Sequence, residues 1–185
     1  MTAVHAHDLA YVILTGGRST RFGTNKSGAK VDGVALLDRL VDGLPNTPSI
    51  IGADIQGGPA AAIKAALDAI GAPWVAVVAV DMPFAPAIIE YLAQLIDGTR
   101  ADGFIPIDAM GKQQWLCGIY RTTALRTAMV NFGPVVDAPL HKVLTSMYLD
   151  LVQLPGELAS LLVDIDTPAD LERAELLAQG KGTER

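Results

Sequence analysis

A three-layer α/β/α fold, with helices on both faces of a mostly parallel sheet that carries one antiparallel strand, is predicted by three features of this 185-residue chain. Apolar strand-like runs alternate with segments of helical period, the pattern of repeated βαβ units. One run, Trp74-Val75-Ala76-Val77-Val78-Ala79-Val80, is apolar throughout, as a central parallel strand buried on both faces should be. A loop rich in glycine and basic residues directly follows the first apolar run, and in such sheets ligands bind beyond the carboxyl ends of the strands.

The elements follow in order. Ala10 to Leu14 reads as the first strand. Leu36, Leu37, Leu40 and Leu44 recur at helical spacing within 35–44, and Ser49-Ile50-Ile51 follows Pro48 as a short strand. Pro59 suits the first turn of a helix through Ile63, Leu67 and Ile70, where its missing N–H costs nothing. After the Trp74 strand, Ile88, Leu92, Leu95 and Ile96 mark another helix. Gly103–Ile107 and Gln114–Tyr120 read as strands, the second antiparallel, with further strands near 148–154 and 161–165. Helices are expected over 122–130, 140–147 and 168–178.

Composition narrows the function class. A chain that is 50% hydrophobic and 18% charged can bury one sizeable core, so a single domain over 1–185 is expected, with flexible ends at 1–8 and 180–185. The net charge of −6 argues against a general nucleic-acid binder. The lone Cys117 excludes an intramolecular disulfide framework, and no apolar run reaches the roughly 18 residues of a spanning helix. A cytoplasmic protein with no membrane partner is the expectation, and its first residues lack a signal-peptide layout.

Three stretches carry chemistry. In Leu14-Thr15-Gly16-Gly17-Arg18-Ser19-Thr20-Arg21-Phe22-Gly23-Thr24-Asn25-Lys26, the glycines let backbone N–H groups approach a ligand, and Arg18, Arg21 and Lys26 supply cations for phosphate. The loop has neither the Gly-Lys-Ser/Thr ending of a P-loop nor dinucleotide-binding glycine spacing. Asp81, after the strongest strand, is a hard carboxylate at the mouth of the sheet, suited either to Mg²⁺ with ligand phosphates or to capping the next helix. Asp164 and Asp166 stand two apart where a strand gives way to a helix, and in an extended stretch they point the same way; they suit a Mg²⁺ site or a second substrate, while Asp166 or Thr167 also suits an N-cap before Pro168.

Taken together these stretches resemble the molybdenum cofactor guanylyltransferase family of Rossmann-like nucleotidyltransferases. The resemblance spans nearly the whole chain and includes Gly57-Gly58-Pro59-Ala60-Ala61, Val80-Asp81-Met82-Pro83-Phe84 and Asp164-Ile165-Asp166-Thr167-Pro168-Ala169-Asp170-Leu171. It implies a Mg²⁺-dependent transfer of GMP from GTP to molybdopterin or molybdenum cofactor, releasing pyrophosphate. Leu14, Thr15, Gly16 and Gly17 would hold guanine and phosphates through backbone groups, Arg21 would meet the phosphates, and Lys26 would neutralise the triphosphate. Asp81 would ligate Mg²⁺ and serve with Arg21 and Lys26 as the catalytic set. Gly58 and Pro59 would lie against the nucleotide, and Asp164 and Asp166 would face the acceptor or a second metal contact. Transient contact with proteins of the molybdenum cofactor pathway is also implied.

The chain departs from the family pattern at Asn25, where Asp usually precedes the Lys, and in the interval of about twenty-five residues from Gly33 to Gly58, which is short for the usual two strands and base-contacting loop. The alternatives are transfer to another phosphorylated acceptor, CMP transfer to the same cofactor, or a non-catalytic nucleotide or cofactor carrier. Asp54 is a candidate base contact, but a solvated loop carboxylate is the stronger reading. His5 and His7 read as tail residues, His141 and Lys142 as surface groups. Trp115 and Cys117 read as core packing ahead of pterin stacking, and Arg121 as a surface ion pair or a phosphate contact.

Overall fold

In the computed structural model, which describes residues 8–16, 29–52 and 55–180, the expected layers are present. Strands β1 (Leu9–Leu14), β4 (Ser49–Ile51), β5 (Trp74–Ala79), β6 (Gly103–Ile107), β7 (Cys117–Arg121) and β8 (Leu149–Gln153) form one six-stranded sheet in the order β4-β1-β5-β7-β6-β8. All its pairings are parallel except those of β7, which runs antiparallel to both β5 and β6. A hairpin of β2 (Lys30–Val31) and β3 (Val34–Ala35) stands apart from the sheet.

Period-2 side-chain alternation sorts the core into two faces. Leu9, Tyr11 and Ile13 of β1 and Trp74, Ala76 and Val78 of β5 pack with Leu40 of α1 (Leu36–Gly43) and with Ile88, Ile89 and Leu92 of α3 (Ala85–Ala93). Val12, Leu14, Val75 and Val77 face the other way, onto Ile63 and Leu67 of α2 (Gly58–Leu67) and Leu125 and Met129 of α4 (Thr122–Phe132). Burial on both faces explains why β5 is apolar without alternation, although its neighbours are β1 in parallel and β7 in antiparallel rather than two parallel strands.

The remaining elements refine the sequence reading. The helix expected over 140–147 divides into α5 (Leu140–Val143) and a 3₁₀ turn, Leu144–Ser146. The strand expected from Gln114 begins at Cys117, because the Cys117 N–H donates to the Gln114 carbonyl at 3.0 Å and closes a turn. The strand expected over 161–165 does not form. After α6 (Gly156–Ser160), Leu162 N–H and Val163 N–H close local turns onto Ala159 and Leu161, and Leu162 and Ile165 are buried as plugs in two separate clusters. The β2–β3 hairpin turns at Asp32 and Gly33, with φ of 53° and 74°, the backbone that an Asp-Gly pair favours.

Close packing sets one side-chain identity near the site. A Cβ at Gly118 would lie 2.9 Å from the Tyr120 hydroxyl, so glycine leaves room for that ring to fold back along the strand. The hydroxyl donates to the Trp115 carbonyl at 2.6 Å, and burial pushes its pKa up, keeping it a donor. Burial likewise pushes the Cys117 thiol up to about 12, which keeps it protonated and inert.

The last helix, α7 (Pro168–Ala178), begins with a capping box: the Thr167 hydroxyl accepts from Asp170 N–H, while the Asp170 carboxylate accepts from Thr167 N–H at 2.7 Å. Replacing Thr167 by Ala is expected to lower stability by about 1 kcal/mol in urea unfolding. Burial alone would raise the Asp170 pKa, but hydrogen bonds from the Thr167 side chain and the Thr167 and Asp166 backbones, with Arg173 nearby, bring it below the ordinary 3.8. Its stabilisation is therefore full above that value and is lost as pH falls through the lower folded-state value. Unfolding curves of wild type and Asp170→Asn should accordingly be furthest apart near neutrality and converge in strong acid.

Candidate active site

The chain passes from β1 outward to β4 and then back across β1 to β5, so the direction of winding reverses between β1 and β5. At such a switch point the connections leaving adjacent carboxyl ends diverge and open a crevice. The backbone defines its floor. Thr15 donates to the Ile51 carbonyl from its N–H at 2.9 Å and from its hydroxyl at 3.1 Å, and Val80 N–H donates to the Leu14 carbonyl at 3.0 Å. Leu14 is buried, Thr15 half-buried and Gly16 exposed, so the chain rises out of the core into the start of the glycine-basic loop.

One wall is the start of α2. Gly57 has φ of 102°, which only glycine adopts without strain, and a Cβ there would meet Val136 at 3.1 Å and Ala61 at 3.2 Å. The Gly57 carbonyl accepts from Asp137 N–H at 2.7 Å, so the segment before α5 buttresses this turn. Gly58 and Pro59 are exposed, and the helix has no side-chain cap, an arrangement that suits an anionic ligand near its amides.

The opposite wall is a circuit of three segments around Asp81. Ala79 N–H donates to the Leu116 carbonyl at 2.8 Å, the Asp81 carbonyl accepts from Ile165 N–H at 2.9 Å, and Asp164 meets the Lys112 ammonium at 3.5 Å. Asp81 is half-buried and does not cap the following helix, whose N-cap is Phe84 with no side-chain bond. Ile165 is buried between the half-buried Asp164 and the exposed Asp166. Thr167, rather than Asp166, is the N-cap of α7, although Asp166 N–H joins the same network by donating to Asp170 at 3.1 Å.

Asp81 and the Asp164–Asp166 stretch are thus brought together at one edge of the sheet, alongside Leu14 to Gly16. Gly17, Arg18, Arg21, Asn25, Lys26, Asp54, His5 and His7 lie outside the described residues. Arg121 is excluded from this edge. It ends the antiparallel β7 opposite Trp74, the first residue of β5, with its guanidinium 4.4 Å from the Trp74 ring and 3.8 Å from Asp102. Trp115 stands in the turn before β7, 6.3 Å from His141 ring to ring, and packs against the core opposite to that of Cys117. Sequence reasoning missed Lys112 and the Val136–Asp137 buttress; Asp108-x-x-Gly111 was the turn signal that marked the Lys112 loop.

Among the described residues, no three or more His, Cys, Asp or Glu side chains gather as a metal cage. The donor set still fits Mg²⁺, which takes one or two carboxylates and completes its shell with substrate phosphates and water.

Known proteins resemble this chain in sequence and in fold. The MobA-like NTP transferase domain is matched over residues 45–132. Across 194 aligned residues the chain is 30% identical to the molybdenum cofactor guanylyltransferase of Rhizobium leguminosarum bv. trifolii, covering 91% of this chain and 92% of that protein. Molybdopterin-guanine dinucleotide biosynthesis protein A from Archaeoglobus fulgidus has the same fold, with a TM-score of 0.74 at 21% identity over 92% of this chain and 99% of that one. So has 2-C-methyl-D-erythritol 4-phosphate cytidylyltransferase from Thermus thermophilus, with a TM-score of 0.61 at 17% identity over 91% of this chain and 98% of that one. Similarity that runs along almost the full length of a curated relative, on a sheet whose switch point joins the glycine-loop root to Asp81, shows that this chain belongs to the molybdenum cofactor guanylyltransferase family and is a nucleotidyltransferase.

Proposed function

We propose that the chain transfers GMP from GTP to molybdopterin or molybdenum cofactor and depends on Mg²⁺. The observation that supports this reading is the meeting of Asp81 with the Asp164–Asp166 segment alongside Leu14–Gly16 at the carboxyl edge of the sheet, an arrangement that suits two anionic substrates bound side by side.

In this reading an oxygen of the acceptor's phosphate bonds to the α-phosphorus of GTP while the bond from that phosphorus to the bridging oxygen breaks, and pyrophosphate leaves with the electron pair. No covalent enzyme intermediate and no net proton transfer are needed. The protein's contribution is positioning and charge stabilisation. Leu14, Thr15, Gly16 and Gly17 frame the guanine and phosphates through backbone groups, with Gly58 and Pro59 against the nucleotide. Arg21 and Lys26 offset the triphosphate's charge as it shifts toward the leaving group. Asp81 supplies a carboxylate ligand for Mg²⁺, which when bound neutralises phosphate charge. Asp164 and Asp166 orient the acceptor.

The short interval from Gly33 to Gly58 has little room for the family's base-contacting loop, so CTP or another triphosphate as donor is the second reading. Incubating the purified protein with molybdopterin and each nucleoside triphosphate separates the two. Pyrophosphate release with GTP is expected; release only with CTP would replace the donor, and none with any triphosphate would sink the transferase reading for these substrates.

Asp81→Ala is expected to lower Mg²⁺-dependent pyrophosphate release by about a hundredfold or more while the circular dichroism spectrum stays that of wild type. Unchanged turnover would remove Asp81 from the metal site. Lys26→Ala should weaken GTP binding by about tenfold in equilibrium titration, the loss of one charge-assisted contact, with a much smaller effect on guanosine.

A further inference from the structure

The nine-residue connection between β6 and β7, residues 108–116, is more ordered than an exposed loop requires. The Asp108 carboxylate accepts from Met110 N–H at 2.9 Å and from Lys112 N–H at 2.8 Å. Asp108 N–H in turn donates to the Lys112 carbonyl at 3.1 Å, and Gly111 N–H donates to the Asp108 carbonyl at 2.9 Å. Beyond this turn Gln113 bridges to Ile107, and Gln114 N–H donates to the Pro106 carbonyl at 3.0 Å. Both backbone groups of Lys112 are therefore fixed, while its side chain remains 62% exposed and reaches across to Asp164, itself 39% exposed.

Stability does not account for this arrangement. An ion pair so open to water, at 3.5 Å, contributes little to folding. What the turn achieves is placement: it carries an ammonium to the carboxyl edge of the sheet and into the circuit that contains Asp81. Among the described residues the neighbouring charged side chains at this edge, Asp81, Asp108, Asp164 and Asp166, are carboxylates, so a dianionic phosphate entering among them gains from a cation. The exposed Lys112–Asp164 pair exchanges readily with such a ligand, because the ammonium gains a doubly charged partner in place of a singly charged one.

We infer that Lys112 is the cationic contact for the phosphate of the acceptor substrate, held by the Asp108 turn and resting on Asp164 until that phosphate arrives. This rests on the nucleotidyl-transfer reading above for the identity of the acceptor. Lys112 then serves the attacking phosphate beside Asp81 and Asp164, where it also offsets repulsion between the two substrate anions.

The test is calorimetric titration of molybdopterin, and of its dephosphorylated form, into wild type, Lys112→Ala and Lys112→Arg. Lys112→Ala should bind molybdopterin about tenfold more weakly. Lys112→Arg should recover most of that loss, the dephosphorylated pterin should bind wild type and Lys112→Ala alike, and GTP affinity and the urea midpoint should not change. Equal molybdopterin affinity in wild type and Lys112→Ala, no molybdopterin binding by wild type, or a loss that persists with the dephosphorylated form would each overturn the inference. The parent reading is judged separately by pyrophosphate release from wild type, so failure of transfer and failure of the Lys112 contact give different results.

Discussion

A parallel sheet leaves unpaired backbone groups where its strands end, and at the carboxyl ends of β4, β1 and β5 three bonds to carbonyls take up that deficit: Val80 N–H to Leu14 between β5 and β1, and the N–H and hydroxyl of Thr15 to Ile51 between β1 and β4. These contacts extend the ladder just past the ends of β1, β4 and β5 and fix where each chain may leave. Beyond them the chain is released in two directions, at Gly16 toward the glycine-basic loop and at Asp81 toward α3. The crevice exists because the strands are held together to their last residue and their connections then diverge. Its rigidity comes from below, where Val12, Ile13, Val77 and Val78 are almost wholly inaccessible to water and each buried side chain contributes about 1.5–3 kcal/mol.

That dependence explains which parts of the protein could be read from its sequence. The β5 run and the Pro59 and Pro168 helix starts are local signals, since periodicity, β-branching and the fixed φ of proline act within a few residues. The reversed direction of β7 was legible for a related reason: two strands joined by a short connection pair more readily antiparallel than through a crossover. The run 161–165 misled because an apolar pattern reports burial, not hydrogen-bond partners. Leu162 and Ile165 are indeed buried, but they plug two different clusters and have no strand beside them. The β2–β3 hairpin was missed because two-residue strands are too short to show a period, although Asp32-Gly33 carried the turn chemistry.

The candidate site divides along the same line. Asp81 could be placed because it directly follows the strongest strand. Lys112 could not, because it meets Asp164 across 52 residues of chain and no local pattern encodes that meeting. Arg121 shows the converse. Its position at the end of a strand suggested the ligand edge, but β7 runs against its neighbours, so the end of β7 lies at the starts of β5 and β6. Strand direction, a tertiary property, decides which strand-end residues face substrate.

The C-terminal helix joins the β2–β3 hairpin to the segment hydrogen-bonded to Asp81. Ala174 of α7 packs with Val31 of the hairpin, Leu36 of α1 and Ile165 of the acidic stretch in one buried cluster, and Glu175 accepts from Asp32 N–H at 2.9 Å. The hairpin is where the described chain resumes after the glycine-basic loop, and Ile165 is hydrogen-bonded to Asp81. The capping box at Thr167 and Asp170 fixes where α7 begins, and so how far Asp164 and Asp166 lie from that cluster. A reaction whose catalysis consists of aligning two phosphates gains from such a connection, because small errors in their relative position carry a large cost in rate. By binding the hairpin and the Ile165 segment to one helix, the fold fixes the spacing between the two through apolar packing.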